Sequence, residues 1–295
     1  MNRHGALDAL TVRATAALVG PRIFSRRLES PPLAEHLDAV RLDRPPLTPG
    51  THELVARTLV GRLPLGLVVA EWHGPDAPTL LYHHGSGERP DADDAATNSF
   101  RDVVRPADGP LGANCIAIRA AFHDVPSMAY LAAMESLDNF AAMVAASAAL
   151  AQAVVEGLDG PAAVSGISLG GFVTNFHRAA FDTADAYVPM LAGAAPDLLF
   201  TASAYRHLTA PEARSRPGVL REVLNFEAAY DDAESGGVAP LLARYDRLVE
   251  YDEQRGCYDG MDLRTVEKGH VTAAVAHDAL RAHLLDACAD VGAAR

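Results

Sequence analysis

Ala162-Ala163-Val164-Ser165-Gly166-Ile167-Ser168-Leu169-Gly170-Gly171-Phe172-Val173 is the stretch on which the reading of this chain turns. It opens as a short apolar run of strand character, and Phe172, Val173 and Phe176 begin a helical pattern behind it. Between the two lies Gly166-Ile167-Ser168-Leu169-Gly170, a G-x-S-x-G. A chain turning sharply from strand to helix crowds its own backbone, and glycines on either side of the serine relieve the crowding. Such a turn lifts a serine hydroxyl clear of a sheet and aims a helix N-terminus at the atom it attacks.

Working outward, residues 54–60 and 63–72 are β-rich runs, and 79–82 and 114–120 are shorter apolar strands. A long alanine-rich helical pattern runs from about 127 to 156 and stops at Gly157. After the strand at 162–166, residues 185–190, 238–243 and 262–266 complete the strand candidates. Strands alternating with helices predict a mainly parallel sheet covered on both faces, with the short-looped opening strands antiparallel. Residues 1–50 read as a helical lead-in, with Ala6, Leu7, Leu10, Ala14, Ala17 and Leu18 at helical spacing and prolines following. Residues 51–295 read as one domain, in which the helix-prone segment 194–237 forms a small cap insertion.

Three further sites carry chemistry. His83-His84-Gly85-Ser86-Gly87 ends a strand, and its glycines let backbone N–H groups face a developing oxyanion. Lys268-Gly269-His270 follows the last strand, where a histidine reaches a serine at the sheet edge as general base and then general acid. Asp246 follows the strand at 238–243, where a carboxylate can hold that imidazole in its working tautomer. Asp197 and Asp252 are the alternative acids, and His277 and His283, inside the terminal helical run, read as surface residues. Glu88 and His123 lie beside these loops as candidate substrate contacts. Adjacent histidines on a strand point to opposite faces, so His83 and His84 make a poor metal pair.

The order Ser168, Asp246, His270, with HGSG upstream, resembles the α/β-hydrolase superfamily from about residue 51 onward. The resemblance implies a mostly parallel eight-stranded sheet with its second strand antiparallel, flanked by helices. It also implies a serine nucleophile at Ser168 and an oxyanion hole from the N–H of Leu169 and one from the following loop, Ser86 ahead of Gly85. The expected activity is a serine hydrolase on a carboxylic ester or related small-molecule acyl substrate, without cofactor or metal. Peptidase, thioesterase and acyltransferase use the same groups, and a non-catalytic binding protein on this fold is the reading from another class. The HGSG loop departs from the HGGG of many lipases and esterases, and the first 50 residues match no feature of the family.

Composition narrows the classes. At 295 residues, 49% hydrophobic and 21% charged, the chain can bury a large core. A net charge of −13 disfavours a nucleic-acid partner, which needs a basic face; Arg22, Arg26 and Arg27 read as a solvated helix face. Three cysteines without CxxC spacing make a disulfide framework or a cysteine zinc site unexpected. No apolar run reads as reaching the ~18–20 residues of a membrane span, with Asp8 and Arg13 breaking even the N-terminal one. A cytoplasmic protein is expected, and the sequence does not give its oligomeric state.

Overall fold

A computed structural model describes residues 2–92, 98–105, 111–233 and 237–293. The chain begins with helices α1 (Arg3–Val19) and α2 (Leu33–Ala39), then the hairpin β1 (Gly50–Thr58) and β2 (Gly61–Glu71). Strand β3 (Thr79–His83), a π-helical turn (Phe100–Val104) and β4 (Asn114–Arg119) follow. Next come α3 (Ser127–Ala133), α4 (Leu137–Val155), β5 (Ala162–Ile167), α5 (Leu169–Ala180) and β6 (Ala186–Met190). Short helices α6 (Asp197–Thr201), α7 (Pro211–Arg214), α8 (Pro217–Leu224) and α9 (Glu227–Asp231) precede β7 (Leu241–Ala243). The chain closes with α10 (Tyr251–Gln254), β8 (Arg264–Val266), α11 (His270–Ala274) and α12 (His277–Ala293).

The eight strands form one sheet in the order β1-β2-β4-β3-β5-β6-β7-β8. Strand β2 is antiparallel to both neighbours, and every pairing from β4 onward is parallel. Strands β3, β4, β5 and β6 are buried along their whole length, as parallel strands covered on both faces must be. Alternate residues feed two apolar clusters. Leu81, Ile116, Ile118 and Val164 pack with α4 and α5 on one face. Leu80, Tyr82, Cys115 and Ala163 pack with Phe100, Val103, Leu280 and Leu284 on the other.

Several local expectations are corrected. Residues 59 and 60 are not strand: Thr58 pairs with Gly61, so Leu59 and Val60 form the hairpin turn, held by the Thr58 hydroxyl. The helical run at 127–156 is broken between Ala133 and Leu137 because the segment after α1 threads into it. There Phe24 N–H donates to the Met134 carbonyl (3.0 Å), Arg26 N–H to the Glu135 carbonyl (2.8 Å) and Leu137 N–H to the Arg27 carbonyl (2.9 Å). Arg22, Arg26 and Arg27 lie outside any helix; Arg26 and Arg27 are solvent-exposed as expected, while the first two pair with the buried Glu135 and the third with Asp138. His283 is buried and bonds the Ala239 carbonyl, rather than lying on the surface. Helix α4, at 19 residues and a mean hydropathy of 1.3, does have the length and composition of a membrane span. It serves as a core helix, with 72% of that apolar window buried inside the fold.

The N-terminal segment is part of the core. Phe24 is 2% exposed and packs edge-on against Phe140 and Phe200, with ring centroids at 6.0 and 4.7 Å. Truncation leaves a cavity as well as lost burial, so Phe24→Ala is expected to lower unfolding free energy by about 3–5 kcal/mol. Denaturant unfolding measures this, and a loss below about 1 kcal/mol would mean that the segment does not dock as described.

Candidate active site

The quoted stretch folds as a strand, one sharply turned residue and a helix. Ser168 stands between β5 and α5 with φ 54° and ψ −111°, a region that side-chain-bearing residues seldom occupy. Its N–H donates to the Met190 carbonyl on the neighbouring strand (2.8 Å), which fixes the turn against the sheet. A Cβ at Gly166 would overlap the backbone of Gly170, and one at Gly170 would overlap the His83 carbonyl. The two glycines are thus required by close approach, and the Leu169 N–H at the first turn of α5 has no acceptor among the described residues.

Two loops from far along the chain meet this serine. His270 is the first residue of α11, just past β8, and Asp246 lies in the turn past β7. The Ser168 Oγ is 2.9 Å from His270 Nε2, and His270 Nδ1 is 2.6 Å from Asp246 Oδ2. With its proton on Nδ1 facing the carboxylate, the ring leaves Nε2 free to accept from the serine hydroxyl. The other carboxylate oxygen, Oδ1, accepts from the N–H groups of Leu248 and Val249, both at 2.8 Å. Burial works to lower the His270 pKa, but the Asp246 carboxylate, its hydrogen bond and the Asp8 carboxylate outweigh it, leaving the pKa raised above 6.5. Burial likewise raises the Asp246 carboxyl, opposed by His270 and the two backbone donors. Asp197 does not join this line: it is buried against Asn225 (3.1 Å). Asp252 is exposed and pairs with Arg255.

The loop at 84–87 is set by neutral imidazoles. His84 lies just past the end of β3, so its ring stacks on that of His83 at 5.0 Å instead of facing the opposite way. The His84 Nδ1–H donates to the Gly85 carbonyl (2.7 Å) and its Nε2 accepts from the Ala120 N–H (3.0 Å). The His123 Nδ1–H donates to the Ala121 carbonyl (3.0 Å), while its Nε2 accepts from the Gly87 N–H (3.2 Å). Burial pushes His123 down to about 4 and His84 well below its ordinary value, so both keep one acceptor nitrogen near neutral pH. The Gly85 carbonyl faces the His84 ring, and in a trans peptide the Ser86 N–H points the opposite way. Like that of Leu169, this N–H has no acceptor among the described residues. Glu88 is turned to the N–H and hydroxyl of Ser99. Neither Glu88 nor His123 lines the cavity described next.

Ser168 and His270 open onto a cavity of about 60 Å³ walled mainly by Ile23, Met134, Phe140, Phe172, Phe200 and Val249. Helix α6 and the turn after it add Leu199 and Tyr205, and Tyr130 bonds the Ser86 hydroxyl at the rim (2.8 Å). Ile23, Tyr130 and Asp8 join the site without any motif that marks them in the sequence. Asp8, fully buried on α1, accepts from the N–H groups of His270 (2.7 Å), Val271 (3.0 Å) and Arg247 (3.1 Å). Among the described residues no group of three His, Cys, Asp or Glu side chains is placed to hold a metal ion.

No protein-family model matches this sequence, and no curated protein matches it either. Solved structures do. Acetyl xylan esterase 1 from Thermoanaerobacterium sp. JW/SL YS485 matches with a TM-score of 0.54 at 16% identity, over 89% of this chain and 97% of that one. Est1E from Butyrivibrio proteoclasticus matches with a TM-score of 0.50 at 14% identity, over 77% of this chain and 95% of that one. The acylaminoacyl peptidase of Pyrococcus horikoshii matches with a TM-score of 0.53 at 12% identity, over 82% of this chain and 40% of that longer one. At such identities the likeness is one of fold. With its strand order and its second strand antiparallel to both neighbours, the chain has the α/β-hydrolase fold.

Proposed function

We propose that this protein is a serine hydrolase that cleaves small carboxylic esters or related acyl compounds through an acyl-enzyme on Ser168. The observation that carries the reading is the hydrogen-bonded line from Ser168 through His270 to Asp246, opening onto an apolar cavity. As the Ser168 oxygen attacks the acyl carbonyl, His270 Nε2 takes its proton, and the buried Asp246 carboxylate stabilises the imidazolium. The N–H groups of Leu169 and Ser86 receive the negative oxygen, a donor of this kind being worth roughly 10²–10³-fold in turnover. His270 then protonates the leaving alcohol, and water deprotonated by the same ring releases the acid. These steps need no cofactor. Ser168→Ala is expected to remove ester hydrolysis, and retention of full activity would refute the nucleophile assignment.

The cavity supports a short acyl group. At about 60 Å³ and walled mainly by apolar side chains, it suits a small apolar group better than a long chain. Across straight-chain p-nitrophenyl esters, kcat/KM is expected to peak at acyl chains of about two to six carbons and to fall at least about tenfold by ten carbons. A peak at ten carbons or more would contradict the cavity assignment.

The pH profile follows from the raised His270 pKa. A protonated ring cannot act as base, so kcat/KM should climb with pH through a limb lying above pH 6.5. Asp246→Asn removes the anion that raises the pKa, so the limb should move to lower pH while turnover falls roughly 10³–10⁴-fold. Steady-state kinetics over pH on both proteins test this, and an unmoved limb would place the acid elsewhere.

A further inference from the structure

Helix α1 lies about 240 residues from the loops it touches, yet one of its side chains joins both of them. Asp8 is fully buried on the inward stripe of α1 with Gly5 and Val12. Its Oδ2 accepts from the N–H of His270 (2.7 Å) and from that of Arg247 (3.1 Å), and its Oδ1 accepts from Val271 (3.0 Å). One of these donors belongs to the base itself and another to the residue that follows the acid. A buried carboxylate needs several donors to offset its lost hydration, and these backbone groups supply three. A second tether runs from His4 Nδ1 to the Thr272 hydroxyl (3.0 Å). Gly5 lets α1 approach this close, since a Cβ there would stand 3.0 Å from the Tyr245 carbonyl.

We propose that Asp8 is a positioning residue for the catalytic pair, clamping the Asp246 turn and the start of α11 so that the His270 ring stays between Asp246 and Ser168. The assignment rests on the serine-hydrolase reading above. Asp8 touches no reacting atom and acts through the backbone of His270 and Arg247. The carboxylate supplies two acceptor oxygens to three N–H donors, whereas an asparagine would turn an NH₂ group toward at least one of them. In Asp8→Asn the loops should therefore shift apart by a fraction of an ångström. A misplacement of that kind lowers kcat by up to about 10²-fold while leaving KM within about twofold.

The test compares Asp8→Asn with Val12→Ala, which removes buried apolar contact from the same helix without touching the clamp. Steady-state kinetics on the p-nitrophenyl ester series and proton NMR of the His270 Nδ1–H, far downfield in a strong imidazole–carboxylate bond, are recorded on the folded full chain. The expected result is a kcat loss and a weakened or shifted downfield resonance in Asp8→Asn, with both unchanged in Val12→Ala. If Asp8→Asn does not fold, Gly5→Ala reads the same contact, because its methyl would stand 3.0 Å from the Tyr245 carbonyl, press α1 away from the acid turn and lower kcat several-fold. A wild-type kcat and resonance in the folded Asp8 or Gly5 variant would overturn the proposal, as would an equal kcat loss in Val12→Ala. The two readings fail separately: a wild-type protein that shows the resonance but hydrolyses no ester refutes the hydrolase reading, while the resonance still reports whether Asp8 holds the pair.

Discussion

Ser168 is held at a positive φ, and the surrounding structure is what keeps it there. A non-glycine residue in such a region carries a strain of about 1–3 kcal/mol, which persists only where its neighbours leave no alternative. Here the neighbours are a buried parallel strand on one side, a helix of which every residue from Leu169 to Arg178 is buried on the other, and a hydrogen bond to the adjacent strand. The glycines at 166 and 170 let these backbones come together, and the His83 carbonyl closes the gap from the next strand. Relaxing the turn would mean pulling β5 and α5 out of the core.

The ionisable groups around the serine are arranged by the same logic of burial with compensation. Asp246 and Asp8 are both buried carboxylates, and each is surrounded by backbone N–H donors from the turn past β7 or the start of α11. His270 sits between them, which is why its pKa rises despite burial. Across the site the opposite choice is made: His84 and His123 are buried with carbonyls and N–H groups, stay neutral, and serve as struts for the glycine loop. Imidazoles of one chemical type thus serve two purposes according to whether the ring is hydrogen-bonded to a carboxylate or to backbone groups.

Much of this was legible in the sequence because strands and helices announce themselves by period. The apolar runs at 79–82, 114–120, 162–166 and 185–190 supply the buried strands β3, β4, β5 and β6, and the residues just beyond strand ends, Ser168, Asp246 and His270, meet in one hydrogen-bonded line. What stayed hidden depends on contacts between distant segments. The interruption at Met134–Ser136 has only a slight local signal, Ser136 ahead of Asp138 in a stretch without alanine from Met134 to Phe140, and it follows mainly from the docking of Phe24 and its neighbours. Asp8 read as a charge breaking an apolar pattern. Its spacing of three from Gly5 and four from Val12, all buried, was the available clue that the charge faces inward. Glu88 and His123 lie near the site in sequence, yet side-chain direction decides their part: one braces Ser99 and the other Gly87.

The N-terminal segment takes part throughout the site, because it walls the cavity with Ile23, interrupts the helix between α3 and α4, and bonds the His270 loop through Asp8. On this whole arrangement rests the activation of Ser168 by His270. Its most direct test is intact mass spectrometry after exposure to a fluorophosphonate, run on the wild type and on Ser168→Ala. One stoichiometric adduct on the wild type that is absent from the variant is the predicted result. A folded wild type that takes no adduct, or an adduct that persists in Ser168→Ala, would contradict it.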